Sequence, residues 1–283
     1  MSKKWFREKP TSRVENNIIW KIKIKKKVYS RRNKCQKIEV FDTFEFGRML
    51  VLDGLIQLAT KNEHIYHEML VHPALLYHSE PKRVLIIGGG DGGTLREVLK
   101  HKVKKIILDD IDEKVIEVSK KYFPSVSKGA FKNKRVKVVI EDGLKFIKNF
   151  DNYFDVIIID ATDPRPRDIA IGLFTKKFFR DAKKAMRKEG IISIQSGWFS
   201  ESFSKMTRRN IKKVFPYFKI HRAFIPCFPF REHTFTLGSQ KVNFEKVSMQ
   251  KIERGFNKSR LRTKYYTPEI HFASGVSLKS WKI

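Results

Sequence analysis

The chain is poor in cysteine, poor in acid and without long apolar runs. Its 283 residues contain two cysteines, Cys35 and Cys227. They have no metal or redox spacing, which excludes a disulfide framework and leaves two small packed hydrophobes in a reduced compartment. No apolar stretch approaches the roughly 18–20 residues that a membrane-crossing helix needs. Met1-Ser2-Lys3-Lys4-Trp5-Phe6-Arg7-Glu8 has no apolar h-region, so no signal peptide is expected and the cytoplasm is the expected location. Aspartate and glutamate number 30 against 60 lysines and arginines, a net charge of +30. That charge suggests nucleic acid as a partner. The basic residues are spread from end to end, however, without zinc-finger spacing, RNP motif or a basic region with heptads. Only non-specific nucleic-acid binding at low salt is expected. No cluster of histidine, cysteine and acid has ligand spacing, so no metal is expected.

Apolar residues are not scarce. At 41% of the chain they suffice for a sizeable core. Residues 18–25 alternate apolar and basic, the period of a half-buried strand. Residues 37–41, 48–52 and 55–58 continue as strands, the last two joined by the hairpin signal Asp53-Gly54. From Glu63 to about His78 the pattern is helical. Short apolar strands then alternate with helices. Strands are expected at 83–87, 105–108, 136–140, 154–159 and 190–195, with a helix over 174–187 and further strands at 218–224 and 234–237. This rhythm predicts an α/β fold with a doubly wound, mostly parallel sheet behind a small antiparallel region.

Ligands in such sheets collect outside the carboxyl ends of the strands. Four of those ends carry an acid: Asp91, Asp110, Asp142 and Asp160. Any one of them could be a helix cap, but four at one edge suggest a site. Gly88, Gly90 and Gly93 fit G-x-G-x-x-G between strand and helix, a pattern shared by dinucleotide enzymes and nucleoside-binding transferases. Asp110, 22 residues after Gly88, is placed to accept the ribose hydroxyls. Asp142 is placed to accept from an adenine amino group. Asp91 lies inside the turn and helps to choose the cofactor. A carboxylate about 4 Å from a phosphate charge costs on the order of 4 kcal/mol at an effective dielectric of 20. A sulfonium nucleoside with an ammonium tail would instead be attracted.

Asp160-Ala161-Thr162-Asp163-Pro164 closes the next strand. Two carboxylates on one tight turn suit an ammonium ion, although Asx hydrogen bonds alone would also explain them. Full proton transfer from an alkylammonium to an ordinary aspartate is uphill by roughly 9 kcal/mol. Asp160 is therefore expected to orient an amine and take its proton as the new C–N bond forms.

Here the sequence resembles the spermidine synthase family of aminopropyltransferases, bacterial type. The resemblance is carried by Val51-Leu52-Asp53-Gly54-Leu55-Ile56-Gln57, Ile65-Tyr66-His67-Glu68-Met69-Leu70, Leu85–Gly93 and Asp160–Pro164, and it extends to both ends of the chain. It implies a small N-terminal antiparallel β domain over 1–62 and a methyltransferase-like Rossmann catalytic domain over 63–283, in a homodimer or homotetramer. It implies transfer of the aminopropyl group of decarboxylated S-adenosylmethionine, a co-substrate rather than a tightly bound cofactor, to putrescine. The products would be spermidine and methylthioadenosine. By position, Asp160 is the family's catalytic base. Gln36, His67, Asp91, Asp110, Asp142 and Gly143 match co-substrate positions, together with Gly88 and Gly90 of the turn. Tyr66 and Asp163 match acceptor positions, and Gln195 is retained.

The departures fall on the acceptor side. The stretch 165–173 is about two residues longer than usual and carries Arg165 and Arg167. The loop 227–231 reads Cys227-Phe228-Pro229-Phe230-Arg231, so Phe228 stands where a tyrosine hydroxyl normally helps to hold the diamine. Agmatine or cadaverine are the alternative acceptors. The rival functions are a methyltransferase of the same fold and a non-catalytic, basic, nucleic-acid-binding relative.

Overall fold

A computed structural model describes residues 4–9, 19–163, 169–198, 202–228 and 232–276. Arg165, Arg167 and Arg231 lie outside them, with parts of both altered loops.

Five strands form an antiparallel sheet in sequence order: β1 (Trp5–Arg7), β2 (Lys21–Arg32), β3 (Lys37–Thr43), β4 (Arg48–Leu52) and β5 (Leu55–Ala59). Asp53 and Gly54 both take positive φ, 48° and 91°, as a two-residue hairpin turn between twisted strands requires. The strand expected over 18–25 starts at Lys21 and runs on to Arg32. Its pairing with β3 slips between Ile24 and Lys26 and again between Lys27 and Tyr29. Two such irregularities disturb the apolar–basic alternation, which is why the pattern fades where the strand does not.

Helix α1 (Glu63–Tyr77) leads into the larger layer. There follow β6 (Arg83–Gly88), α2 (Gly93–Leu99), β7 (Lys105–Asp109), α3 (Glu113–Tyr122), α4 (Pro124–Ser127), β8 (Val136–Val139), α5 (Gly143–Phe146) and β9 (Phe154–Asp160). After these come α6 (Lys176–Ala185), β10 (Met186–Trp198), α7 (Ser202–Val214), β11 (Tyr217–Phe224), β12 (Glu232–Ser239), α8 (Met249–Lys258) and α9 (Pro268–Ser274). The helix expected over 174–187 is shorter, because Thr175 caps it by accepting from the Phe178 N–H and Met186 already pairs with Phe154.

The seven strands lie in the order β11-β12-β10-β9-β6-β7-β8. β10, β9, β6, β7 and β8 run parallel, whereas β12 pairs antiparallel with β10 and β11 pairs antiparallel with β12. The central strands are apolar on both faces, as a covered parallel sheet demands. Val156, Ile157, Ile158 and Ile159 are each fully buried, worth about 1.5–3 kcal/mol apiece. One apolar cluster runs from Met49 and Val51 through Met69 and Leu70 to Val84 and Ile86, joining the small sheet to the large one. A second joins Val40 and Leu50 to Val115 and Val118 on α3.

This topology fixes where a ligand can sit. From β6 the chain builds outward through β7 and β8, then returns to β9 on the other side of β6. The strand order reverses there, and a crevice opens at the carboxyl ends. Gly88 and Asp160 are register partners at that point.

Candidate active site

The crevice is a cavity of about 570 Å³. The turn after β6 supplies Gly88, Gly90 and Asp91 to its wall, and the ends of β7, β8 and β9 supply Asp110, Asp142 with Gly143, and Asp160 with Asp163. Gln36, Tyr66, Gln195 and Phe228 line the same space. The expected site residues thus meet at one place, except His67, which is not in the wall and lies buried behind Asp91.

The close approaches explain two glycines. Gly88 has φ of 81°, and a Cβ there would lie 2.2 Å from the Asp160 carbonyl oxygen. A Cβ on Gly93 would lie 2.3 Å from the His67 ring.

Asp160 is held by both oxygens. The Tyr66 hydroxyl donates to Oδ1 at 2.8 Å and the Thr94 hydroxyl to Oδ2 at 2.6 Å. Burial, followed by the charge of Asp91, raises its pKa, while His67 and the two hydroxyl bonds restrain the rise. A raised pKa brings a carboxylate nearer to what a base for an amine needs.

Asp91 accepts from the Gly93 N–H at 2.6 Å and lies 3.2 Å from His67 Nε2. The other ring nitrogen of His67 meets Glu63 at 2.6 Å. Burial opposes charge on this ring, but Asp91 and Glu63 outweigh it and hold its pKa well above the usual value. His67 is therefore an imidazolium donating to a carboxylate at each end. Asp91 is correspondingly kept ionised: burial pushes its pKa up, and His67 more than reverses this. Behind them Arg96 donates to both oxygens of Glu63 at 2.9 Å and to Glu97 at 2.6 Å. Glu97 in turn meets the His72 ring and Lys100.

His67, Asp91 and Asp160 offer ligand atoms within 4.8 Å of one another, a grouping that their spacing in the chain does not betray. A metal needs a lone pair from histidine, and both His67 nitrogens already face carboxylates. The arrangement suits an organic cation better than a metal ion.

The acids at the ends of β7 and β8 are less alike than their positions suggest. Asp110 accepts from the Asp112 N–H at 2.9 Å, and burial pushes its pKa up to about 7. Asp109 also lines the cavity, and burial with the charge of Asp110 takes it to about 7 as well. Asp142 caps α5, accepting from the Leu144 N–H at 2.9 Å, so at this position the cap and the cavity wall are one residue. Gln36 faces the cavity but gives its amide to Asp112 at 2.9 Å. Gln195 donates to the Ala161 carbonyl at 2.7 Å and to Asp163 at 2.9 Å, which fixes the Asp160–Asp163 turn.

Thr94, Glu63, Arg96, Asp109 and Glu8, another cavity-wall residue, escape the sequence reading. Glu63 could have been found, because Glu63 and His67 stand four apart on one helix face. In sum, a chain of high positive charge encloses a cavity walled by Asp91, Asp109, Asp110, Asp142, Asp160 and Asp163. Lys9 and Lys34 also line it. Such a wall attracts a cationic nucleoside and a cationic acceptor and repels phosphate.

Comparison with known proteins agrees with this geometry. Residues 63–250 match the family described as "Spermine/spermidine synthase domain", and residues 4–60 match "Spermidine synthase tetramerisation domain". A polyamine aminopropyltransferase of Thermoanaerobacter sp. (strain X514) is 41% identical over 279 residues, covering 96% of this chain and 95% of the relative. One of Bacillus subtilis (strain 168) is 40% identical over 279 residues, covering 98% and 96%. Among solved structures, a spermidine synthase in complex with the transition-state analogue AdoDATO superposes with a TM-score of 0.91 at 35% identity, covering 98% of this chain and 93% of that one. Spermidine synthase from Thermotoga maritima gives 0.89 at 35% identity, with coverage of 98% and 92%.

Proposed function

The chain belongs to the spermine/spermidine synthase family and is a polyamine aminopropyltransferase that uses decarboxylated S-adenosylmethionine, and from that premise we propose that its acceptor is putrescine and that Asp160 takes the acceptor's proton. The observation that carries the proposal is the double hydrogen bond on Asp160 beside Asp163, in a wall of carboxylates.

In this reading the adenosyl moiety lies along Gly88 and Gly90, with its ribose on Asp110 and its base near Asp142, Gly143 and Gln36. Asp91 receives the ammonium tail, and His67 keeps Asp91 ionised for that task. Tyr66, Asp163, Gln195 and Phe228 border the acceptor. The acceptor nitrogen attacks the carbon next to the sulfonium. A C–N bond forms as the C–S bond breaks, methylthioadenosine leaves with the electron pair on sulfur, and the proton from nitrogen passes to Asp160. The carboxylate therefore need not deprotonate a free ammonium outright, a step that would cost roughly 9 kcal/mol. Each unit by which its pKa rises removes about 1.4 kcal/mol from that cost.

The same proposal divides the chain at residue 62 into an assembly unit and a catalytic unit. It makes the protein a cytoplasmic homodimer or homotetramer, and it treats nucleic-acid binding as non-specific. No helix among the described residues is long and apolar enough to cross a membrane. The test is incubation with decarboxylated S-adenosylmethionine and putrescine, agmatine or cadaverine in turn. Methylthioadenosine should be released fastest with putrescine. Failure to release it with any of these amines would refute the assignment, and a clear preference for agmatine or cadaverine would replace the acceptor.

A further inference from the structure

The inference rests on the aminopropyl-transfer reading and concerns how the acceptor is held. β12 sends alternate side chains to opposite faces of the sheet. Leu237 and Phe235 form a buried apolar stripe on one face. The next residue on that face is not apolar: it is His233, 5% exposed and part of the cavity wall. Its ring lies 5.4 Å from the ring of Tyr66 and 5.7 Å from that of Phe228. Nε2 of His233 is buried without a hydrogen-bond partner among the described residues. Burying a polar atom in that state is destabilising, and native structures rarely leave one so without a reason. His233 belongs to the wall of the substrate cavity, and a small rotation of its ring would turn Nε2 to a partner arriving with the substrate.

The sheet order says which substrate. Asp160 ends β9, and the adenosyl-side acids Asp110 and Asp142 follow β7 and β8 on one side of it. His233 lies on the other side, two strands away, opposite Trp198 at the end of β10. Its near neighbour Tyr66 donates to Asp160. Phe228, beside it, has no polar side-chain atom. Burial pushes the His233 pKa down to about 3, so near neutral pH the ring carries no positive charge to repel an ammonium.

We propose that His233 is an acceptor-binding residue whose Nε2 lone pair accepts a hydrogen bond from an amine nitrogen of the polyamine acceptor. His233→Phe keeps a ring of similar size and removes the acceptor atom. Losing a hydrogen bond to a charged group should raise KM for putrescine about 10- to 100-fold. KM for decarboxylated S-adenosylmethionine should stay within about twofold, a split that a merely structural role would not give. A crystal structure of the unmodified protein with putrescine and methylthioadenosine reads the contact directly and does not depend on the variant folding. It should show an amine nitrogen within about 3.2 Å of Nε2. A folded His233→Phe protein with unchanged putrescine kinetics, or a complex with no acceptor nitrogen within about 3.5 Å of Nε2, would overturn the proposal. Failure of the unmodified protein to release methylthioadenosine with any amine would instead be failure of the transferase reading.

Discussion

Replacing Asp160 by asparagine removes the proposed proton acceptor while keeping its shape. The Tyr66 and Thr94 hydroxyls reach Oδ1 and Oδ2 at 2.8 and 2.6 Å. In Asp160→Asn one of these oxygens becomes an NH2 group, and the facing hydroxyl can rotate to accept from it. The disturbance to the fold is then about one ordinary hydrogen bond, ~1 kcal/mol. It is offset in part by relief of repulsion with Asp91, which helps to raise the Asp160 pKa. The effect on chemistry is larger. An amide cannot take the proton, and general-base contributions run about 10²–10⁴-fold, or ~3–5.5 kcal/mol of barrier. The assay is rapid-quench measurement of methylthioadenosine with both substrates saturating. It is read beside far-UV circular dichroism and a melting curve, which should change little. A folded Asp160→Asn protein whose kcat stays within about tenfold of the unmodified enzyme would refute the role given to Asp160.

Other consequences follow from the same geometry. The base must be ionised to act, so kcat/KM should fall as pH drops through the raised pKa of Asp160. Thr94→Ala removes a hydrogen bond that favours the ionised form, so its acid limb should move to higher pH; an unmoved or lowered limb would contradict the assignment. Gly93→Ala drives a Cβ to 2.3 Å from the His67 ring, which should displace His67 from Asp91, destabilise the fold by about 1–3 kcal/mol and weaken co-substrate binding; calorimetry showing normal affinity would count against it. Burial lowers the His271 pKa to about 3 and holds His221 well below its usual value. The unfolded chain therefore binds more protons below about pH 6.5, so these residues make stability fall as pH drops from there toward 3. Asp109 and Asp110, raised to about 7, act in the opposite sense over the same range, so the two proteins are compared: between pH 7.5 and 5 His271→Gln should gain stability, or lose less of it, relative to the unmodified protein, and an identical change in melting temperature would contradict the assignment.

The parts of this account legible in the sequence are those written in local period and punctuation. The apolar runs of β6 and β9, the Asp53-Gly54 hairpin and the acids at strand ends stand in the chain as they stand in the fold. Where period fails, so does the reading. Lys26 and Lys27 interrupt the alternation of β2, and the pairing slips on either side of them mark where the expectation stops short. Met186 is strand rather than helix because pairing with Phe154 overrides local preference. The contacts around the site are long-range. Thr94 reaches Asp160 across 66 residues, and Arg96 reaches Glu63 across 33. Neither has a spacing that announces it. A lone histidine in a strand carries no signal of a role in the sequence; the unpaired nitrogen of His233 shows only in three dimensions.

In the proposed reading a carboxylate wall around Asp91 and Asp160 selects a sulfonium nucleoside that ends in an ammonium. Calorimetric titration with decarboxylated and with ordinary S-adenosylmethionine measures that selection. The extra carboxylate of the ordinary form, about 4 Å from Asp91, should cost on the order of 1–4 kcal/mol between aqueous and protein-like screening. The decarboxylated form should therefore bind at least about fivefold more tightly. Equal affinity, or tighter binding of ordinary S-adenosylmethionine, would contradict the account.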